Sequence, residues 1–276
     1  MSAPNRLAVA ARDFIHPILI LLAKTRTKFQ ITTGDAPPLL PDKPVIFAIN
    51  HTNSFDTPIA ATAISKCYHL RCQILAGKQP LYFTDRLYFI FNGVFWVDRK
   101  SKKETSEAKQ KLIDYLGNYP AALWFPEGTW NQTDNLLILP MKWGIIDVAA
   151  QAGAQIVPVI LDYNRQTMVC HVSFGVPITP EKGVDKATAI CELRDSMASL
   201  RWKQWEKGEL LHRDNVNREQ LREEMFAAVL EYPPLSWENE KTIVFDPNSA
   251  LKSAFSHLEN LTPCHENAFL FNRHLK

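Results

Sequence analysis

A chain of 276 residues is long enough to bury a sizeable core as one main domain with extensions, and 46% hydrophobic against 22% charged residues excludes a disordered or collagen-like chain. A net charge of +2 gives the whole molecule no strong attraction to nucleic acid. The five cysteines (Cys67, Cys72, Cys170, Cys191, Cys264) are scattered, with no CxxC pair and no zinc-like spacing, so reduced thiols in a cytosolic setting are expected. No stretch reaches the roughly 18 to 20 apolar residues of a bilayer-crossing helix, and no small-residue cleavage site follows Ile18 to Ala23, which argues against a signal peptide.

Leu7 to Lys24 holds two short apolar pieces flanked by Arg6, Arg12, Lys24, Arg26 and Lys28. That composition suits a helix in a membrane interface or one covering the core. A Pro-rich loop spans Asp35 to Asp42. Val45 to Ile49 reads as a buried strand, and Thr57 with Pro58 as the N-cap and first turn of a helix to Lys66. Further strands are expected at Arg71 to Ala76 and Val94 to Val97, separated by an aromatic-rich helix at Pro80 to Phe91. A charged amphipathic helix follows at Lys102 to Leu116, stopped by Gly117. Then come a strand at Ala121 to Phe125, a helix from Pro140 to Ala152 ending at Gly153, and strands at Gln155 to Leu161 and Val169 to Phe174. Helices near Lys186 to Lys207 and Arg218 to Leu230 lead into an irregular tail. The alternation predicts an α/β fold: a mixed, largely parallel sheet flanked by helices, with an N-terminal amphipathic helix and a C-terminal helical extension. The expected divisions are a helical membrane-interface segment at 1–34, the α/β domain at 35–183, and the extension and tail at 184–276.

Three strand ends carry candidate chemistry, because loops at the carboxyl ends of strands gather reactive groups in α/β folds. The first is NHTNSFDTP, Asn50 to Pro58. His51 and Asp56 are five positions apart and would lie on different faces of a regular helix, so they must meet through a turn. There Asp56 can hold the imidazole in one tautomer while His51 takes a proton from an attacking hydroxyl; alternatively His51 is a loop histidine capping a backbone group. No GxSxG elbow signals a covalent acyl-enzyme. The second is GVFWVDRK, Gly93 to Lys100, where Arg99 offers a planar fork for a phosphate or carboxylate, or simply pairs with Asp98. The third is FPEGTW, Phe125 to Trp130, where Gly128 permits close backbone approach and Glu127 offers an acceptor, or the segment is a plain turn. Trp202 and Trp205, beside Arg201, Lys203 and Lys207, either anchor at an interface or pack on the main domain.

Taken together, the block with His51 and Asp56, then GVFWVDR, then FPEGTW, then IVPVIL at Ile156 to Leu161, resembles the glycerolipid acyltransferase family typified by lysophosphatidic acid acyltransferases, over roughly Pro44 to Pro180. The resemblance implies His51 as general base with Asp56 as its partner, Arg99 on the acceptor's phosphate, and Glu127, Gly128, Thr129 and Trp130 in an acceptor-binding loop. Lys142 and Gly144 in PMKWG match residues just beyond that loop, and Pro158 the last block. It further implies transfer of a fatty acyl group from acyl-CoA or acyl carrier protein to a lysophospholipid hydroxyl, 1-acylglycerol-3-phosphate by default. No metal or cofactor is implied beyond that thioester co-substrate, and the site of action would be the cytoplasmic face of a membrane. The chain departs from the family in one respect: Trp130 stands where members acting on lysophosphatidic acid commonly carry arginine. That substitution keeps open a non-phosphate acceptor such as a glycolipid or amino lipid, and hydrolysis or a non-catalytic membrane-binding role are the remaining alternatives.

Overall fold

The computed structural model describes residues 27–52, 55–77, 94–97, 102–117, 121–131, 137–164 and 167–207, with Ile18, Leu21, Asn217 and Glu219. The expected helices at 80–91 and 218–230, Arg99, most of the N-terminal segment and the C-terminal tail lie outside the described residues.

Seven strands form one sheet: β1 (Gln30–Thr33), β2 (Val45–Ile49), β3 (Gln73–Gly77), β4 (Val94–Val97), β5 (Ala121–Trp124), β6 (Gln155–Asn164) and β7 (Val169–Phe174), in the order β1-β7-β6-β2-β5-β3-β4. Every pairing is parallel except β6 with β7, so the sheet is mixed and largely parallel. The described helices are α1 (Asp56–Tyr68), α2 (Lys102–Leu116), α3 (Gly144–Ala152) and α4 (Lys186–Trp205).

Because side chains alternate across a strand, the continuous apolar run of β2 feeds two cores. Ile46 and Ala48 join Ala122, Ile156 and Ile160 beneath α2, α3 and α4, whereas Val45, Phe47 and Ile49 join Leu123, Val157 and Val159 beneath α1. Pro158 sits in mid-sheet, where a missing N–H is normally avoided. Its carbonyl accepts from Gly175 N–H at 2.8 Å, and its ring packs so closely that a Cβ at Gly175 would come within 3.0 Å of it.

Several sequence expectations shift. Helix α1 begins at Asp56, with Phe55 rather than Thr57 at the N-cap, and runs to Tyr68, where His69 takes a left-handed φ of 55°. Helix α3 starts at Gly144 instead of Pro140 and ends, as expected, at left-handed Gly153. Gln30–Thr33, assigned from sequence to the N-terminal segment, is a strand that pairs with β7. Helix α4, placed in the extension, buries Ala189, Ile190, Leu193 and Met197 in the core it shares with α2 and α3. Its N-terminus is capped by Asp185, which accepts from the N–H of Thr188 at 3.0 Å and from its hydroxyl at 2.6 Å.

Candidate active site

The parallel pairing of β5, β2 and β6 brings their carboxyl ends together. Asn50 and His51 follow β2, Phe125 to Asn131 follow β5, and Tyr163 lies near the end of β6. Asn50 extends the pairing by side chain: its Oδ1 accepts from Leu161 N–H at 2.7 Å and its Nδ2 donates to Leu161 O at 3.1 Å. The last apolar residue of β2 therefore passes directly into a fixed backbone.

His51 is held at both ends of its main chain by the loop after β5. Its N–H donates to Glu127 Oε1 at 2.8 Å, and its carbonyl accepts from Asn131 N–H at 2.6 Å. That loop is itself a tight turn, closed by Gly128 N–H to Phe125 O at 3.1 Å, with Pro126 at the second position and Gly128 at φ 72°. Glu127 is 4% exposed, and its second oxygen accepts from Leu139 N–H at 2.7 Å. Its carboxylate braces His51 against the segment leading to α3. Burial pushes its pKa from 4.5 up to about 7, against the lowering effect of the Leu139 and His51 N–H groups and of Arg201.

The imidazole has defined partners on both nitrogens. Nδ1 lies 2.8 Å from Asp56 Oδ2, and Nε2 lies 3.0 Å from Trp130 Nε1. An ionised carboxylate only accepts and an indole N–H only donates, so both contacts select the tautomer with the proton on Nδ1 and the lone pair on Nε2. Phe125 stacks on the imidazole at 4.2 Å, and Trp130 meets it edge-on at 5.9 Å and 80°.

Asp56 is wholly buried at the first residue of α1, where the helix dipole favours negative charge. Its Oδ2 also accepts from Thr52 N–H at 2.5 Å, and its Oδ1 accepts from the Tyr163 hydroxyl at 2.5 Å and the Thr52 hydroxyl at 3.4 Å. Ionised hydrogen-bonded acids of this kind orient a histidine without taking its proton.

The sequence-expected residues thus have unequal places. His51, Asp56 and Trp130 form one hydrogen-bonded chain; Glu127 stands behind it; Gly128 and Thr129 lie half-buried in the turn; and Lys142 is exposed, with its N–H on Pro126 O at 3.1 Å. Gly144 is a close-approach position, where a Cβ would meet Lys109 Cε at 3.2 Å. Arg99 is outside the described residues. Sequence reasoning missed Tyr163, Asn50, Thr52 and the stacking role of Phe125. Tyr163 follows the same rule that singled out His51, being polar and near a strand's carboxyl end. Arg194 of α4, which donates to Ile138 O, carried no sequence signal.

Cys72 and Cys170 are buried free thiols whose pKa values burial raises, so neither is poised as a nucleophile. Among the described residues no three His, Cys, Asp or Glu side chains gather as a metal-binding group.

Residues 30–162 match the family model described as Acyltransferase. A 1-acyl-sn-glycerol-3-phosphate acyltransferase of Saccharomyces cerevisiae is 30% identical over 132 residues, covering 47% of this chain and 42% of the yeast protein. One from Haemophilus influenzae is 30% identical over 119 residues, covering 42% of this chain and 46% of that protein. The chain thus matches less than half the length of these two relatives. In fold it is similar to the crystal structure of the 1-acyl-sn-glycerophosphate (LPA) acyltransferase PlsC from Thermotoga maritima, with a TM-score of 0.56 at 16% identity, covering 76% of this chain and 86% of that one.

Proposed function

Since residues 30–162 match the Acyltransferase family model, we propose that the chain moves a fatty acyl group from an acyl thioester to a lipid hydroxyl, with 1-acylglycerol-3-phosphate as the leading acceptor. The observation that carries this reading is the Asp56–His51 pair at 2.8 Å with the lone pair left on Nε2. His51 Nε2 takes the proton of the acceptor hydroxyl as its oxygen bonds to the thioester carbonyl carbon. The carbon–sulfur bond then breaks, and the departing thiolate takes the proton from His51. Asp56 stabilises the transient imidazolium, and the family's use of acyl-CoA or acyl carrier protein supplies the thioester. Arg99 and Lys142 are the cations assigned to the acceptor's phosphate, and Gly128 and Thr129 line its approach.

A second acceptor class is favoured by one observation. Trp130 replaces the usual arginine, and its indole turns onto His51, so this position offers no phosphate fork. A glycolipid or amino lipid fits that chemistry better. A non-catalytic role is disfavoured by the intact acid–histidine pair. We assign the protein to the cytoplasmic face of a membrane as a peripheral component; in support, Ile18 and Leu21 are helical, one turn apart, and 52% and 61% exposed.

The test is incubation of the protein with radiolabelled acyl-CoA or acyl carrier protein and a panel of lysophospholipids, glycolipids and amino lipids. Labelled diacyl product from lysophosphatidate meets the leading reading, whereas labelled glycolipid or amino lipid alone selects the second. Label appearing only as free fatty acid overturns both.

A further inference from the structure

The reactive nitrogen of His51 is already engaged. Nε2 has one lone pair, and it accepts the Trp130 indole N–H at 3.0 Å. The indole is 6% exposed, so it is packed in place rather than resting on the surface. Phe125 covers one face of the imidazole, and Asp56 holds Nδ1. A hydroxyl can be deprotonated by His51 only after the indole N–H has left Nε2.

That requirement separates an acceptor lipid from water. A single water offers Nε2 one hydrogen bond in exchange for the one it would displace, and it brings no other contact with which to move a buried ring. A lipid acceptor brings its headgroup and chain, and binding energy from those remote parts can be spent on displacing the indole. The competing reaction is a real one. A water activated at Nε2 would give its proton to His51 and bond its oxygen to the thioester carbonyl carbon; the carbon–sulfur bond would break, and the thiolate would take the proton, leaving free fatty acid and thiol.

We propose that Trp130 determines the choice between acceptor and water: its N–H occupies the base until a lipid hydroxyl takes its place, which suppresses hydrolysis of the acyl thioester. This rests on the reading of His51 as the base. It also gives the tryptophan in FPEGTW a function that differs from that of the arginine it replaces, since an arginine would present a cation to the imidazole and could not serve as its neutral donor.

The experiment compares native protein, Trp130→Phe, His51→Ala and the double variant for thiol release from acyl-CoA without acceptor, and for acyl transfer with acceptor. Phenylalanine keeps an aromatic ring and removes the N–H. The expected result is acceptor-independent thiol release raised about tenfold in Trp130→Phe, equivalent to ~1.4 kcal/mol, and abolished in the double variant. Thiol release at or below the native rate in folded Trp130→Phe overturns the inference. Should that variant not fold, the native protein labelled with 15N-tryptophan carries the test. One indole N–H resonance should shift in His51→Ala, because that variant removes the acceptor of the indole N–H. Absence of such a resonance likewise overturns it. The two readings fail separately: retained transfer in His51→Ala removes the base, whereas lost transfer there with unraised thiol release in Trp130→Phe removes only the role of Trp130.

Discussion

At the scale of single residues, the position of His51 depends on groups outside the acid–histidine pair. Glu127 accepts backbone N–H bonds from His51 and Leu139, so a glutamine there must turn its NH2 toward one of two donors. Glu127→Gln is expected to lose about 1–3 kcal/mol at pH 5 from that mismatch and about 100-fold in transfer rate as His51 shifts, read by denaturant unfolding and product formation. The pH dependence has a definite sign. A carboxyl raised from 4.5 to about 7 holds its proton more tightly in the folded than in the unfolded chain. Its contribution to native stability therefore falls as pH rises through that window, by on the order of 3 kcal/mol at most. The variant does not titrate, so the stability gap between the two proteins should narrow from pH 4.5 to 7; a constant gap would contradict the assignment.

Tyr163 donates to Asp56 at 2.5 Å from the far side of the carboxylate. Tyr163→Phe removes one donor from a buried anion and should cost about 1.5–3 kcal/mol in stability. With less of its charge shared, Asp56 pulls harder on the imidazolium. We expect kcat to fall about tenfold while the acceptor KM holds. An unchanged kcat would reduce Tyr163 to packing.

At the scale of elements, the segment between FPEGTW and α3 shows why local reading runs out. Leu139 gives its N–H to Glu127, Ile138 O accepts from Arg194 Nε at 3.1 Å and from its NH2 group at 2.9 Å, and Leu137 O accepts from Arg201. Side chains far along the sequence take the backbone groups a helix from Pro140 would have to organise around, so α3 begins only at Gly144. By contrast Val45–Ile49, Val94–Val97, Lys102–Leu116 and Val169–Phe174 occur with the bounds their apolar runs and flanking Gly or Pro suggest, because those signals are local. Strand β1 escaped notice since none of its four residues is fully buried and its pairing with β7 is set by chain more than a hundred residues away. The same logic applies to the site: His51, Asp56 and the FPEGTW turn are legible as motifs, while the bonds that join them are tertiary. Arg201→Met should therefore act at a distance, leaving Leu137 O with only the 3.4 Å bond from Asn131 Nδ2, costing about 1–3 kcal/mol and lowering transfer through the Leu139–Glu127–His51 path. Native activity in a destabilised Arg201→Met would sever that path.

At the scale of the whole molecule, the sheet gathers its chemistry at one end, and the helices of both faces serve it: α1 supplies Asp56 while α4 clamps the segment that braces Glu127. No helix among the described residues is long and apolar enough to cross a membrane. Ile18 and Leu21 present apolar side chains outward, and these are the residues proposed to touch a membrane. Replacing both by glutamate should weaken cosedimentation with anionic phospholipid vesicles severalfold, by loss of apolar burial and by charge repulsion; undiminished cosedimentation would assign membrane contact to another surface.

The central claim is that His51, oriented by Asp56, is the base for acyl transfer, and the most direct measurement is the transfer rate of folded His51→Ala against native protein on the same thioester and acceptor. The account predicts a fall of about 100- to 10,000-fold, the range for a general base removed from an otherwise intact site. A rate within a few-fold of native would contradict it.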